Sequence, residues 1–518
     1  MYLKITLVFI LIFFIVDSKV SNGGIDSAIV HNETFYIGFT PLDSSYSLTK
    51  LSNSLNAVIA NNGKNLGSTN FGIGVYSLNQ KKWYYSRNAD KLLTPASTTK
   101  LFTTYTLLRQ IGSEAYISTE VYHDGTIQPD GIIKGNIYIY GKGDALFSTS
   151  DLEVLADKVR KSGIRKITGN VYSDGTFYDD ETERIVYSRD KDVVQATPPI
   201  AALNIDRNAA TIIVKAGPRA GDPPSVQVIP FSDSHIIINN AKVGTVKSKK
   251  AGIRVNTKML PDGRQQFITS GNIKPNSTFT YQHLIHNPPL TIAGAFKNRL
   301  KAGGIVIDGD FGVVSRAESD SIKSDYKYIA DFKRPVFDII NPVNKDSDNY
   351  LAEILFKMIG ANYGNRHDNA PSTRKFMDSL FTKDNIECNK CKLNDGSGLS
   401  RRNVVTTESL IGILNNATYY EFYDDFKNSL SIAGEDGTLR KRMKGTNAEK
   451  NLLGKTGTLR NVSALAGYVR TLDGDNLVFA FIFNGPNVGV YKLIENELSK
   501  ILSDFYFETV PLDNPAGR

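Results

Sequence analysis

The apolar and aromatic positions of "FGIGVYSLNQKKWYYSRNADKLLTPAS" read as two strands, about 71 to 77 and 82 to 86, running into a turn. "TKLFTTYTLLRQIG" then keeps apolar residues at helical spacing, with Pro95 in the first turn and Thr94 as the expected cap. From about 116 to 320 the pattern is strand-rich and turn-rich, broken by two helices, "SDLEVLADKVRKSG" and "PLTIAGAFKNRLKAGG". The last third returns to helices in "SDNYLAEILFKMIGANYG", "TRKFMDSLF" and "TESLIGILNNAT". It then gives three apolar strands, "NLLGKTGTL", "SALAGYVRT" and "LVFAFIFNG", and an amphipathic final helix, "YKLIENELSKILSDFYF".

This order predicts an α+β chain whose two ends build one domain. Residues 25–115 and 325–518 would supply an antiparallel five-stranded sheet, two strands from the first piece and three from the second, flanked by helices. Residues 116–324 would form a large inserted domain, with a β-rich piece at about 200–290 nested inside it. A length of 518 residues suits such a multidomain arrangement.

Composition adds location. "MYLKITLVFILIFFIV" carries one early lysine and an unbroken apolar run from Leu7 to Val16, then turns polar. The run is short for a bilayer span and has the form of a secretory signal at 1–21, a retained anchor being the alternative. Export would make a disulfide, or idle thiols, the plain reading of the only two cysteines, Cys388 and Cys391. The net charge of +8 favours acidic partners, but only "LRKRMK" at 439–444 concentrates it. Nucleic acid is therefore disfavoured against an anionic cell-wall polymer, and no metal or cofactor is implied.

Candidate chemistry starts at "TPASTTK", where Ser97 and Lys100 stand three apart. The same spacing recurs at Ser47, Ser188, Ser324 and Ser372, so alone it singles out nothing. A serine needs a base, and none of the six histidines sits in a recognisable triad context, which leaves lysine. A lysine works only when neutral: at a pKa near 10.4 roughly one in 2,500 is unprotonated at pH 7, and a pKa near 8 raises this to about a tenth. Burial or a second cation would supply the bias. Lys455 in "LLGKTGTLRN" is the first suspect for that cation. Gly457 leaves room for a substrate backbone, and Thr456 and Thr458 flank a place for a terminal carboxylate. Between these stretches, "NPVNKDSDNYLAE" offers Ser347 and Asn349, or merely a helix cap at Ser347 or Asp348.

Ser-x-x-Lys, Ser-Asp-Asn and Lys-Thr-Gly in this order are the signature of the penicillin-recognising serine enzymes. "TPASTTKLFT", "GNIYIYGKGDALF", "PVNKDSDNYLAEILFK", "DGSGLSRRN", "AGEDGTLRKRM" and "GKTGTLRNVSALAGYV" narrow the match. From about residue 50 to 505 the chain resembles the D-alanyl-D-alanine carboxypeptidase/endopeptidases of the class C low-molecular-mass penicillin-binding proteins, peptidase family S13. The resemblance implies a serine β-lactamase/transpeptidase-like domain with a large insert. It implies that Ser97 attacks the carbonyl between two D-alanines, Lys100 takes its proton, Ser347 relays a proton to the leaving amine, and Asn349 holds the substrate amide. Lys455 supplies positive charge, Thr456 and Thr458 face the terminal carboxylate, and the N–H groups of Ser97 and Thr458 form an oxyanion hole. Substrates would be peptidoglycan stem peptides ending in D-Ala-D-Ala, and β-lactams would acylate Ser97. The place of work would be the bacterial cell envelope, periplasmic or extracytoplasmic, with peripheral membrane or wall association left open. A β-lactamase and a non-catalytic wall-binding scaffold are the alternatives, the first weakened by the lack of a separate carboxylate base. Asp395 and Ser397 are expected to have only structural roles.

Overall fold

A computed structural model describes residues 39–41, 44–190, 195–245, 252–364 and 367–511. The apolar run at the start of the chain, with the expected signal segment, lies outside them. No helix among the described residues is long and apolar enough to cross a membrane.

The two ends of the chain meet in one antiparallel sheet. Its order is Leu453–Leu459, Val462–Arg470, Asn476–Asn484, Asn70–Ser77, Lys82–Arg87, which are the five strands expected from the pattern. A sixth strand, Ser431–Ile432, pairs with Leu453 and Gly454 at the outer edge. Two residues carry no readable periodicity, which is why the sequence pattern yields five strands and not six.

Apolar residues on both faces of Asn476–Asn484 explain its unbroken hydrophobic run, because a sheet covered on both sides hides every side chain. Val478, Ala480 and Ile482 face the helices Thr99–Ile111, Val336–Lys345, Asn349–Asn362 and Thr407–Ala417, whose core includes Phe102, Leu355 and Leu410. Leu477, Phe479, Phe481 and Phe483 face the helices Ser44–Asn61 and Val488–Ser503 through Leu55, Tyr491 and Leu498. Period-two alternation thus joins two separate cores through one strand.

The inserted segment has its own core, with Phe147, Leu155, Phe267 and Phe296 fully buried. Its main sheet runs Phe311–Val313, Val171–Asp174, Ile137–Gly141, Tyr116–His123, Lys327–Pro335. Pairing with Tyr116–His123 therefore holds the returning chain in this sheet as far as Pro335, beyond the boundary expected at 324. The nested piece carries two three-stranded sheets, built from Ala209–Lys215, Ser225–Ile229 and Thr278–Leu284, and from His235–Val243, Gly252–Met259 and Gln265–Ile273.

Buried polar contacts join the insert to a helix and a loop behind the candidate site. Lys357 donates to the Asp179 carboxylate at 2.5 Å, Arg184 to Asp395 at 3.0 Å, and the Tyr187 hydroxyl to Glu353 at 2.8 Å. Buried charges held this way fix the relative position of the elements that carry them, since either partner alone would be an uncompensated charge in an apolar interior. Cys388 and Cys391 are joined in a disulfide just before the "DGSGLS" loop, the staple being one of the readings the sequence left open.

Candidate active site

Thr94 does not cap the helix that follows it. Its N–H donates to the Asn484 side chain at 2.8 Å, and its carbonyl accepts from the same amide at 3.0 Å, which pins this stretch to the end of a central strand. The chain then makes a tight 3-10 turn, Ala96–Thr98, before the helix Thr99–Ile111 begins. Ala96 takes φ +50°, a left-handed value unfavourable for any residue with a Cβ, immediately before Ser97. The turn leaves Ser97 partly exposed while Lys100, one helical turn on, is wholly buried.

Lys100 is the hub of the site. Its Nζ donates to Ser97 Oγ at 3.0 Å, to Asn349 Oδ1 at 2.8 Å and to the Ser397 carbonyl at 2.5 Å. A residue of its own motif, the first residue of a distant helix and a distant loop therefore converge on one nitrogen. Ser347 sits at φ +61° and accepts from Lys455 Nζ at 2.8 Å; Lys455 also donates to the Thr456 carbonyl at 3.0 Å. Asp348 is the true cap of the helix Asn349–Asn362, accepting from the Leu351 N–H at 3.0 Å. This cap leaves Ser347 and Asn349 on either side free to face the lysines.

Burial pushes the Lys100 ammonium down to about 8, against the opposing carboxylates of Glu353, Asp395 and Asp348. Of the two sources expected, burial or a second cation such as Lys455, it is burial that lowers Lys100. Lys455 is itself lowered well below the ordinary lysine value, first by burial and then by repulsion from Lys100. Two buried amines so placed cannot both carry a proton cheaply, and one is available as a base.

Gly457 also makes room within the protein itself. A Cβ there would come within 2.6 Å of the Pro95 carbonyl and 3.3 Å of the Ala96 Cβ, so the missing side chain admits the turn that carries Ser97. Among the described residues the strand Leu453–Leu459 pairs on its outer edge only through Leu453 and Gly454, and its edge from Lys455 onward has no neighbouring strand. Thr456 Oγ1 donates to Thr438 Oγ1 at 2.8 Å, and Thr458 is exposed on the same strand.

The residues that sequence reasoning underestimated stand behind Lys100. Asp395 is fully buried and accepts from the N–H groups of Gly398 (2.9 Å) and Ser400 (2.7 Å), the Asn403 amide (2.7 Å) and Arg184. Glu353 accepts from the N–H groups of Ser397 (2.9 Å) and Gly396 (3.2 Å), and burial beside Asp395 raises it to about 7. Together these carboxylates fix the loop whose Ser397 carbonyl receives Lys100. Gly398, at φ +83°, lies against the Ser97 turn, where a Cβ would fall 1.9 Å from the Ala96 carbonyl. Gln195 of the insert accepts from the Asn349 amide at 2.7 Å. The doubled glycine of "DGSGLS" and the glutamate in "SDNYLAE" were visible signals, but their partners were not. Among the described residues no cluster of His, Cys, Asp or Glu is arranged to hold a metal ion.

The chain is similar to known proteins in sequence and in fold. The model of the D-Ala-D-Ala carboxypeptidase 3 (S13) family matches residues 51–504. The chain is similar to a D-alanyl-D-alanine carboxypeptidase of Actinomadura sp., 29% identical over 446 residues, covering 82% of this chain and 80% of that protein. It is 24% identical over 423 residues to a D-alanyl-D-alanine carboxypeptidase of Haemophilus influenzae, covering 81% and 86%. Its fold is that of penicillin binding protein 4 from Haemophilus influenzae, with a TM-score of 0.65 at 22% identity, covering 88% of this chain and 98% of that one. A structure of that protein complexed with a β-lactam gives a TM-score of 0.63.

Proposed function

The chain belongs to the D-Ala-D-Ala carboxypeptidase 3 (S13) family, and from that premise we propose that it hydrolyses the terminal D-Ala-D-Ala bond of peptidoglycan stem peptides through an acyl-enzyme on Ser97. The observation that carries the reading is the buried Lys100 amine, 3.0 Å from the Ser97 hydroxyl and lowered to about 8. At pH 7 about a tenth of such an amine is neutral, enough to serve as a general base.

In the first step neutral Lys100 takes the Ser97 proton, the Ser97 oxygen bonds to the carbonyl carbon, and the N–H groups of Ser97 and Thr458 donate to the oxyanion that forms. Donors of this kind each contribute roughly 10²–10³ in rate. As the C–N bond breaks, the proton passes through Ser347, which Lys455 holds at 2.8 Å, to the departing amine. Asn349 holds the acyl-side amide, giving up its contact with Gln195. Thr456, Thr458 and Lys455 receive the terminal carboxylate, whose charge favours the ammonium form of Lys455. Water then cleaves the ester and regenerates Ser97. A β-lactam acylates the same oxygen, but its amine stays tethered.

The sequence of the first residues and the Cys388–Cys391 disulfide support export to an oxidising compartment, with wall association through the substrate. A fluorescent penicillin should label the protein covalently, Ser97→Ala should abolish labelling, and a diacyl-Lys-D-Ala-D-Ala peptide should release D-alanine. Persistent labelling of Ser97→Ala would overturn the assignment. Prompt turnover of a chromogenic cephalosporin would instead favour a β-lactamase.

A further inference from the structure

Three consecutive residues of the insert, Asp206, Arg207 and Asn208, take left-handed φ values of +47°, +58° and +55°. Such a backbone is unfavourable for any residue with a Cβ, so the run persists only because its surroundings hold it. The Asn208 amide donates to the Asn204 side chain at 2.8 Å and to the Pro199 carbonyl at 2.9 Å, and Asp206 accepts from the Thr149 N–H at 3.0 Å. The Tyr350 hydroxyl, from the helix Asn349–Asn362, also donates to Asn204 at 2.8 Å. The turn is thereby strapped to the start of that helix. Arg207 at its centre donates to the Asp348 carboxylate, and its guanidinium lies 5.5 Å from the centre of the Tyr350 ring.

Asp348 stands between Ser347 and Asn349, and its charge is one of three that favour the Lys100 ammonium, with those of Glu353 and Asp395. The insert supplies a donor to each: Arg184 to Asp395, the Tyr187 hydroxyl to Glu353, and Arg207 to Asp348. From the strand Leu453–Leu459, Lys455 opposes the Lys100 ammonium and is itself drawn toward charge by Asp346. We propose that Arg207 is a positioning residue: it fixes the Asp348 side chain, and with it the corner from Ser347 to Asn349, and offsets a negative charge that would otherwise hold the proton on Lys100. The inference rests on the reading of Lys100 as the base. Arg207 is 43% and Asp348 20% exposed, so water screens the pair and its influence on Lys100 is modest.

The test follows the rate of Ser97 acylation by a penicillin against pH, on the full chain. Arg207→Gln should move the rising limb upward by about 0.3 to 0.5 of a pH unit. Asp348→Asn, whose amide can still cap the helix, should move it downward. The two changes together should place the limb between those of the single variants, and Arg207→Lys should return it to the wild-type position. An Arg207→Gln limb at the wild-type pH, whatever its height, would overturn the proposal, because lost packing alone lowers a rate without moving a titration. Shifts in the same direction for Arg207→Gln and Asp348→Asn would overturn it equally. A wild-type profile with no rising limb near pH 8 would instead bring down Lys100 as the base.

Discussion

The guanidinium of Arg184, carried by the inserted segment, lies 3.0 Å from the carboxylate of Asp395, and neither group reaches solvent. Asp395 in turn orders the loop that presents the Ser397 carbonyl to Lys100. The insert thereby helps to hold Lys100 in place, and besides a core of its own it shares apolar packing with the site helices through Phe177, Tyr178 and Tyr187.

Removing one member of that pair strands a buried charge, with an expected loss of about 3–5 kcal/mol. Arg184→Met and Asp395→Asn should each lower the denaturation midpoint and slow penicillin acylation. Stability and acylation both equal to wild type would show that the pair does not position the loop.

Lys100→Met should abolish acylation, and its relative stability should depend on pH in a definite sense. The folded-state pKa of about 8 lies below the ordinary 10.5, so the unfolded chain binds more protons in between and the native state carries a penalty below pH 8. That penalty, about 3 kcal/mol at pH 7 for a shift of this size, fades as pH rises toward 10.5. Unfolding in denaturant at pH 7 and pH 10 should show the variant losing about 2.5 kcal/mol of standing against wild type; no change with pH would contradict the burial of an ammonium at this position.

Glu353 raises the Lys100 pKa, because its negative charge favours the ammonium. Glu353→Gln keeps the side-chain shape and removes that charge. The rising limb of kcat/KM against pH should move to lower pH, by about half a unit or more, with the acyl-enzyme still formed. A limb that moves upward, or does not move, would exclude this coupling.

Gly398→Ala introduces a Cβ 1.9 Å from the Ala96 carbonyl and forces the Ser97 turn aside. Displacing a nucleophile by about 1 Å lowers rate on the order of 10²-fold. Stopped-flow penicillin acylation should show this loss, while circular dichroism retains the wild-type spectrum. Acylation at the wild-type rate would mean that the turn tolerates the shift.

Much of the fold is local and was legible. The period-two strands 453–459, 462–470 and 476–484, the helical spacing after Ser97, and the insert helices Thr149–Lys161 and Pro288–Ala302 all follow from apolar patterning. The order of Ser97, Ser347 and Lys455 in "STTK", "SDN" and "KTG" was equally plain, because a motif is a string. The short strand Ser431–Ile432 and the 3-10 turn at Ala96 were not, since neither has enough residues to show a period.

What lowers the Lys100 pKa is a different kind of fact. Its lysine neighbour was visible in the sequence, but its burial depends on how the helix Thr99–Ile111 packs beneath Asn349, Ser397 and Glu353, which are remote along the chain. The same holds for Arg184 against Asp395 and for Arg207 against Asp348. Residue types and local periodicity determined which groups and elements this protein has. Only the tertiary structure decided which of them lose their water together, and loss of water is what sets the charge of an amine.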